Sequence, residues 1–243
     1  MLGVPPALPV PPQRRPVEAV LFDFQGTLAQ VEDPVEWVHA AAAGCGATLD
    51  PILATSLADQ LVTAGRAGGP KPGRVPPHLA EVYADRDLTP QAHRDAYTGL
   101  AATVATPIEG FADALYERLL RPEGWQAYAD TVPTLAELHA AAVPVAVVSN
   151  IGFDIRPLCA ALGFAQYVSA WTLSFEIGRC KPDPAVFHHA CRSLGVFAEH
   201  ALMVGDPPAD AAAVDAGCRV LVLPASPPGT VNGLAAALRL ALS

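Results

Sequence analysis

Four short stretches carry side chains whose types suit group-transfer chemistry. They are Asp23 and Gln25 in "FDFQGTL", Ser149 and Asn150 in "VVSN", Lys181 in "CKPDPAVF", and Asp206 with Asp210 in "MVGDPPAD". A carboxylate ending an apolar run, as Asp23 does, is costly to bury and is usually placed for chemistry. It can act as a nucleophile that accepts a group covalently and splits one hard step into two. Asp23 and Asp206, with Asp210 as a further carboxylate, are hard oxygen donors of the kind that hold a divalent cation such as Mg2+. Ser149 can donate to an anionic oxygen, and the turn after it, "NIGFD", offers backbone N–H groups near a helix start. Lys181 supplies fixed positive charge against a nucleophile and a transferring anion. Gln25 is the odd member, because an amide donates and accepts hydrogen bonds but exchanges no proton near neutral pH.

These residues lie far apart in the chain, so a fold must bring them together. From about Glu18 onward, short apolar runs alternate with helical patterns, which is how parallel strands joined by crossover helices read. The clearest strands are "AVLFDF" (19–24), "VPVAVVSN" (143–150), "ALMVGD" (201–206) and "CRVLVLP" (218–224). Three of them end on polar residues, and in an open α/β sheet the carboxyl edge is where ligands bind. Asp23, Ser149 and Asp206 are therefore expected to converge. Residues 30–130 contain no comparable strand, and four stretches there repeat apolar residues at helical spacing, which reads as a helical insertion. A Gly/Pro-rich loop, "AGGPKPGRVPP" (67–77), interrupts the insertion and is expected to be mobile.

Composition narrows the classes. The chain has 243 residues, is 51% hydrophobic and carries a formal net charge of -9, which allows a sizeable core and repels nucleic acids and anionic membranes. Any anionic ligand must then be held by a local site. Five cysteines without a Cys-x-x-Cys pair read as thiols of a reducing cytoplasm. No apolar stretch is long enough for a membrane span. Residues 1–17 read as a proline-rich flexible arm rather than a secretory signal. No oligomer interface is legible.

The four motifs, in this order, resemble those of the haloacid dehalogenase superfamily of hydrolases, over about residues 18–224. The resemblance implies an α/β fold: a Rossmann-like parallel sheet core flanked by helices (18–29 and 131–243), with an inserted helical C1-type cap (30–130). It further implies a magnesium-dependent phosphatase acting on a small phosphorylated molecule. Asp23 would be the nucleophile and Lys181 its cationic partner. Ser149, Asn150 and Lys181 would hold the phosphoryl group. Asp23, the backbone carbonyl of Gln25, Asp206 and Asp210 would hold the metal.

Gln25 departs from the phosphatase pattern, which usually has a second Asp there to protonate the leaving alcohol and later activate water. That help is worth about 10² to 10⁴ in rate. A substrate with a good leaving group would need it less, and His93 of the insertion is a candidate substitute. Two alternatives stand beside a phosphatase: a catalytically impaired protein that binds a phosphorylated ligand, and, ranked lower because Asp206 and Asp210 are kept, a dehalogenase acting on carbon. Arg66, Lys71 and Arg74 could meet an anionic substrate, and Trp37, Trp125 and Tyr97 could line its cleft. Solvated charges and core packing are the ordinary roles of such residues.

Overall fold

A computed structural model of the chain describes residues 16–243, so nearly all of the proline-rich arm lies outside the described residues. The strands are β1 (Ala19–Phe22), β2 (Ala29–Val31), β3 (Trp125–Ala127), β4 (Val145–Ser149), β5 (Ala170–Leu173), β6 (Ala201–Gly205) and β7 (Arg219–Val222). The helices before β4 are α1 (Pro34–Gly44), α2 (Pro51–Ala64), α3 (Ala80–Ala84), α4 (Pro90–Ala101), α5 (Phe111–Leu119) and α6 (Thr131–Ala140). Those after it are α7 (Arg156–Ala161), α8 (Ser174–Ile177), α9 (Pro184–Leu194) and α10 (Ala235–Ala241).

All four expected strands pair in one parallel sheet of order β5-β4-β1-β6-β7. The apolar runs of β1, β4 and β6 are continuous because both faces are covered, whereas β7 is a half-buried edge strand. Val20 and Phe22 of β1 pack with Val147, Val204, Leu135 and Leu158 on one face, while Leu21 packs with Val148, Met203, Val186 and Phe187 on the other. The edge strand β5, "AWTL", is half-buried in its first two residues and too short to stand out as an apolar run. Residues 30–130, expected to hold no strand comparable to these four, contribute to a short ribbon in which β2 and β3 pair antiparallel, Val31 opposite Trp125. Three residues each are too few to show a period in sequence.

The four helical patterns of the insertion form α1, α2, α4 and α5, with the short α3 between. Asp33, Asp50 and Thr89 precede a proline and accept hydrogen bonds from the first-turn N–H groups of α1, α2 and α4. A capping oxygen followed by proline at the first helical position is a strong start signal. Trp37, Val38, Leu57, Leu61, Phe111 and Leu115 form a core of their own, away from the sheet.

The insertion also packs on the sheet core through Ala67, Tyr116, Leu119 and Trp125, and His93 of α4 is buried beside them. This residue is 1% exposed, shares a 2.9 Å hydrogen bond between its Nδ1 and the Tyr116 hydroxyl, and lies 5.1 Å from the Phe153 ring just after β4. Burial, with the charge of Arg86 adding to it, pushes its pKa down to about 3. His93 is thus neutral near pH 7 and serves as a packing residue, not as the proton donor considered from sequence. The unfolded chain binds this proton near pH 6.5, so the stability that neutral His93 contributes is present above that pH and is lost as pH falls toward 3. The slope is about 1.4 kcal/mol per pH unit. Urea unfolding of His93→Gln should therefore weaken less than wild type between pH 6.5 and about pH 4.5, by about 2.5 kcal/mol over the interval. Equal slopes would show that folded His93 is protonated.

Candidate active site

Asp23 and Asp206 each lie one residue beyond a central strand, β1 and β6, and Ser149 is the last residue of β4. From β1 the chain builds outward through β4 and β5, then returns to add β6 and β7 on the other side. The carboxyl ends flanking β1 therefore form a topological switch point, and the expected convergence is observed. The Asp23 N–H continues the ladder by donating to the Val204 carbonyl at 2.9 Å, which fixes where its carboxylate begins.

Lys181 reaches the same point from the loop before α9. Its backbone is clamped by Asn150, whose Oδ1 accepts from the Lys181 N–H at 2.7 Å and whose Nδ2 donates to the Lys181 carbonyl at 2.8 Å. With both ends of its amide so engaged, Asn150 positions Lys181. The ammonium, 5% exposed as a residue, contacts Asp23 Oδ1 at 2.7 Å, Asp210 Oδ1 at 2.6 Å and the Val148 carbonyl at 2.9 Å. All three of its protons are thereby directed. Asp210 Oδ2 accepts from the Asp206 N–H at 3.0 Å. Only glycine fits before this turn, because a Cβ at Gly205 would lie 2.2 Å from Asp210 Oδ2.

Burial pushes the Asp23 carboxyl up to about 6, against the lowering effect of Lys181 and with Asp210 adding to the rise. Burial also raises Asp210 and the more exposed Asp206. For Lys181 burial acts against the charge, but Asp23 and Asp210 outweigh it and raise the pKa well above the ordinary lysine value. One oxygen from each of Asp23, Asp206 and Asp210 lies within 4.8 Å of the others. Three carboxylates against one ammonium leave excess negative charge in a largely dry place. A hard divalent cation fits that donor set.

Gln25 is half-buried and faces a cleft of about 180 Å³ between the sheet edge and the insertion, together with Asn150, Tyr97 and Trp125. Of the aromatic residues considered from sequence, Trp37 is 6% exposed and donates to the Leu115 carbonyl, while Trp125 is 3% exposed and donates to that of Leu119. Both serve mainly as core. Arg66 and Lys71 line the cleft; Arg74 is exposed outside it.

Two supporting residues had no signal in the motifs. Asn232 Nδ2 donates to the Gly26 and Thr27 carbonyls at 3.0 and 2.9 Å, holding the turn after Gln25 from the far end of the chain. Asp130 in turn accepts from the N–H groups of Asn232, Gly233 and Leu234 at 2.8 to 2.9 Å. Only the Asn-Gly pair at 232–233, a turn signal, marks this anchor in sequence.

Residues 17–217 match the family described as haloacid dehalogenase-like hydrolase. The chain is 27% identical over 196 residues to haloacid dehalogenase-like hydrolase domain-containing protein 3 of Danio rerio, covering 79% of this chain and 78% of that protein. It is 28% identical over 208 residues to a phosphoglycolate phosphatase of Yersinia pseudotuberculosis, covering 83% and 78% respectively. A crystal structure of a dehalogenase shares the fold, with a TM-score of 0.65 and 23% identity over 92% of this chain and 96% of that one. With the parallel sheet, the ordered motifs and a match across most of its length, the chain belongs to the haloacid dehalogenase-like hydrolase family.

Proposed function

We propose that this hydrolase cleaves small phosphomonoesters through a covalent aspartyl-phosphate on Asp23, with a magnesium ion held by Asp23, the Gln25 carbonyl, Asp206 and Asp210. The observation that carries this reading is the contact of Lys181 with both Asp23 and Asp210 at the end of β1, beside Asp206. In the first step an Asp23 oxygen bonds to phosphorus as the bond to the leaving oxygen breaks, and that oxygen departs with the electron pair. In the second, water attacks phosphorus and Asp23 is released as a carboxylate with inorganic phosphate. The bound metal would supply charge neutralisation for the phosphoryl oxygens. Lys181 keeps Asp23 oriented and offsets charge on the transferring group, and Ser149 is suited to donate to one of its oxygens. The helices of residues 30–130 serve as a cap that covers the cleft and excludes water.

Gln25 gives this reading a specific shape. Neither it nor neutral His93 can protonate a leaving alkoxide, so substrates whose leaving group departs readily, such as acyl or aryl phosphates, are favoured. The same two residues support a second reading, a protein that binds a phosphorylated ligand and turns it over slowly. Dehalogenation on carbon finds less support, since that chemistry leaves Asp206 and Asp210 without a metal to hold.

Phosphate release from a panel of phosphomonoesters and acyl phosphates should require magnesium and should disappear in Asp23→Asn. Turnover near wild type in that variant would remove Asp23 from the mechanism, and retention after exhaustive chelation would remove the metal. Gln25→Asp should raise kcat/KM on alkyl phosphates by about tenfold or more and on acyl phosphates far less, because acid assistance matters only for a poor leaving group. A uniform change across both classes would show that Gln25 acts on another step.

A further inference from the structure

We propose that the cleft beside Gln25 recognises a second anionic group on the substrate, a carboxylate or a further phosphate, and that Arg66 is the side chain that reads it, with Lys71 at the rim. This rests on the phosphomonoester reading and adds the substrate class to it.

Arg66 is an unusual buried cation. It is only 6% exposed, and its guanidinium lies 4.3 Å above the Trp37 ring. Of its five N–H donors, the described residues engage one, through Nη1 to the Glu32 carbonyl at 2.9 Å. Its Nε is buried with no partner. Glu32 meets Arg66 through its main-chain carbonyl, while its two carboxylate oxygens accept from Arg118 at 2.8 and 2.7 Å. A buried cation with unplaced donors is costly, and such a group in a cleft wall is accounted for by an anion that arrives from the cleft. Burial depresses Arg66 to about 10, offset in part by Glu32 and Asp33, so it keeps its charge at neutral pH.

The charge of the cleft supports the same conclusion. The chain holds 15 Lys and Arg against 24 Asp and Glu, yet the charged residues lining the cleft are Arg66, Lys71 and Arg86 against Asp87 alone. Arg86 and Asp87 satisfy each other at 3.3 Å, and Arg86 also donates to the Tyr83 carbonyl. That leaves Arg66 and Lys71 as the charges available to a ligand. Both belong to the Gly/Pro-rich loop and its approach, which lies close against Gln25. Gly68 has φ +82°, and a Cβ there would fall 2.7 Å from Val31 Cγ1 and 3.3 Å from Gln25 Nε2. A substrate with phosphorus at Asp23 would thus pass Gln25 and direct its other end toward Arg66.

The test measures binding, and therefore does not depend on turnover. Calorimetric Kd values, taken with excess magnesium, are compared for propylphosphonate, 3-phosphonopropionate and 1,3-propanebisphosphonate. The wild-type protein should bind at least one acid-tailed compound about tenfold or more tightly than the neutral-tailed one, in line with a hydrogen bond between charged groups. The two tails show whether carboxylate or phosphate is preferred. Arg66→Met, which keeps apolar contact with Trp37, should remove the advantage, and exposed Lys71→Gln should reduce it about twofold to fivefold. Equal Kd values for all three compounds in wild type, or an advantage kept in folded Arg66→Met, would overturn the proposal. Should Arg66→Met fail to fold, an advantage unchanged in Lys71→Gln and insensitive to salt would overturn it as well. Preference for an acid tail without phosphate release from any ester would uphold this inference while refuting hydrolysis.

Discussion

The ammonium of Lys181 is the interaction on which the site depends. It joins the ends of three parts of the fold: Asp23 after β1, the Val148 carbonyl in β4 and Asp210 beyond β6. A lysine this buried stays charged because two carboxylates face it, and the Asp23 carboxyl, raised by its own burial, is held down chiefly by that lysine. Neither partner is comfortable alone, and removing one side of such a pair leaves an uncompensated buried charge. The pair therefore stabilises the protein little in net terms. It fixes geometry instead, holding the Asp23 carboxylate at the carboxyl end of β1.

Much of the surrounding structure exists to keep those ends in register. A parallel strand buried on both faces cannot slip by one residue without carrying each side-chain set into packing shaped for the other. Thus the alternation of Val20 and Phe22 against Leu21 indirectly sets where Asp23 emerges. The loops are tied in the same spirit. Asn150 fixes the backbone of Lys181, Asn232 fixes the turn that follows Gln25, and Asp130 fixes Asn232. Each tie is a side chain bonded to main chain, which restrains a loop that the ladder does not reach.

The site was readable in sequence to the extent that its residues end apolar runs. Asp23, Ser149 and Asp206 stand out for that reason, and Lys181 and Asp210 follow from motif order. The central strands and the four longer helices of the insertion were also readable, because a run buried on both faces and apolar residues at helical spacing are strong local signals, reinforced in three of the helices by an Asp-Pro or Thr-Pro start. Features of tertiary origin were not. The ribbon of β2 and β3 is three residues on each side, and β5 is a short edge strand. His93 looks like a near-neutral acid until Tyr116 and Phe153 surround it. Arg66 looks like a solvated loop charge, and nothing local shows that Trp37 covers it or that Arg118 has claimed its neighbouring acid.

Gln25 and Arg66 together describe how such a site can work with less acid–base help. On the proposed mechanism, an amide beside the nucleophile would withhold a proton from the departing oxygen, which would raise the barrier for alkyl esters in particular. Binding energy from a remote part of the substrate can offset such a loss when it is used to fix the reacting groups in line. A buried guanidinium anchored on Trp37 provides a rigid distant contact, and the loop at Gly68 keeps that contact close to the reacting end. On that proposal the amide and the cation would act on the same quantity, the free energy of the transition state, from two sides of the cleft. Loss of proton transfer at one end would place a greater share of substrate selection on leaving-group chemistry and on charge at the other.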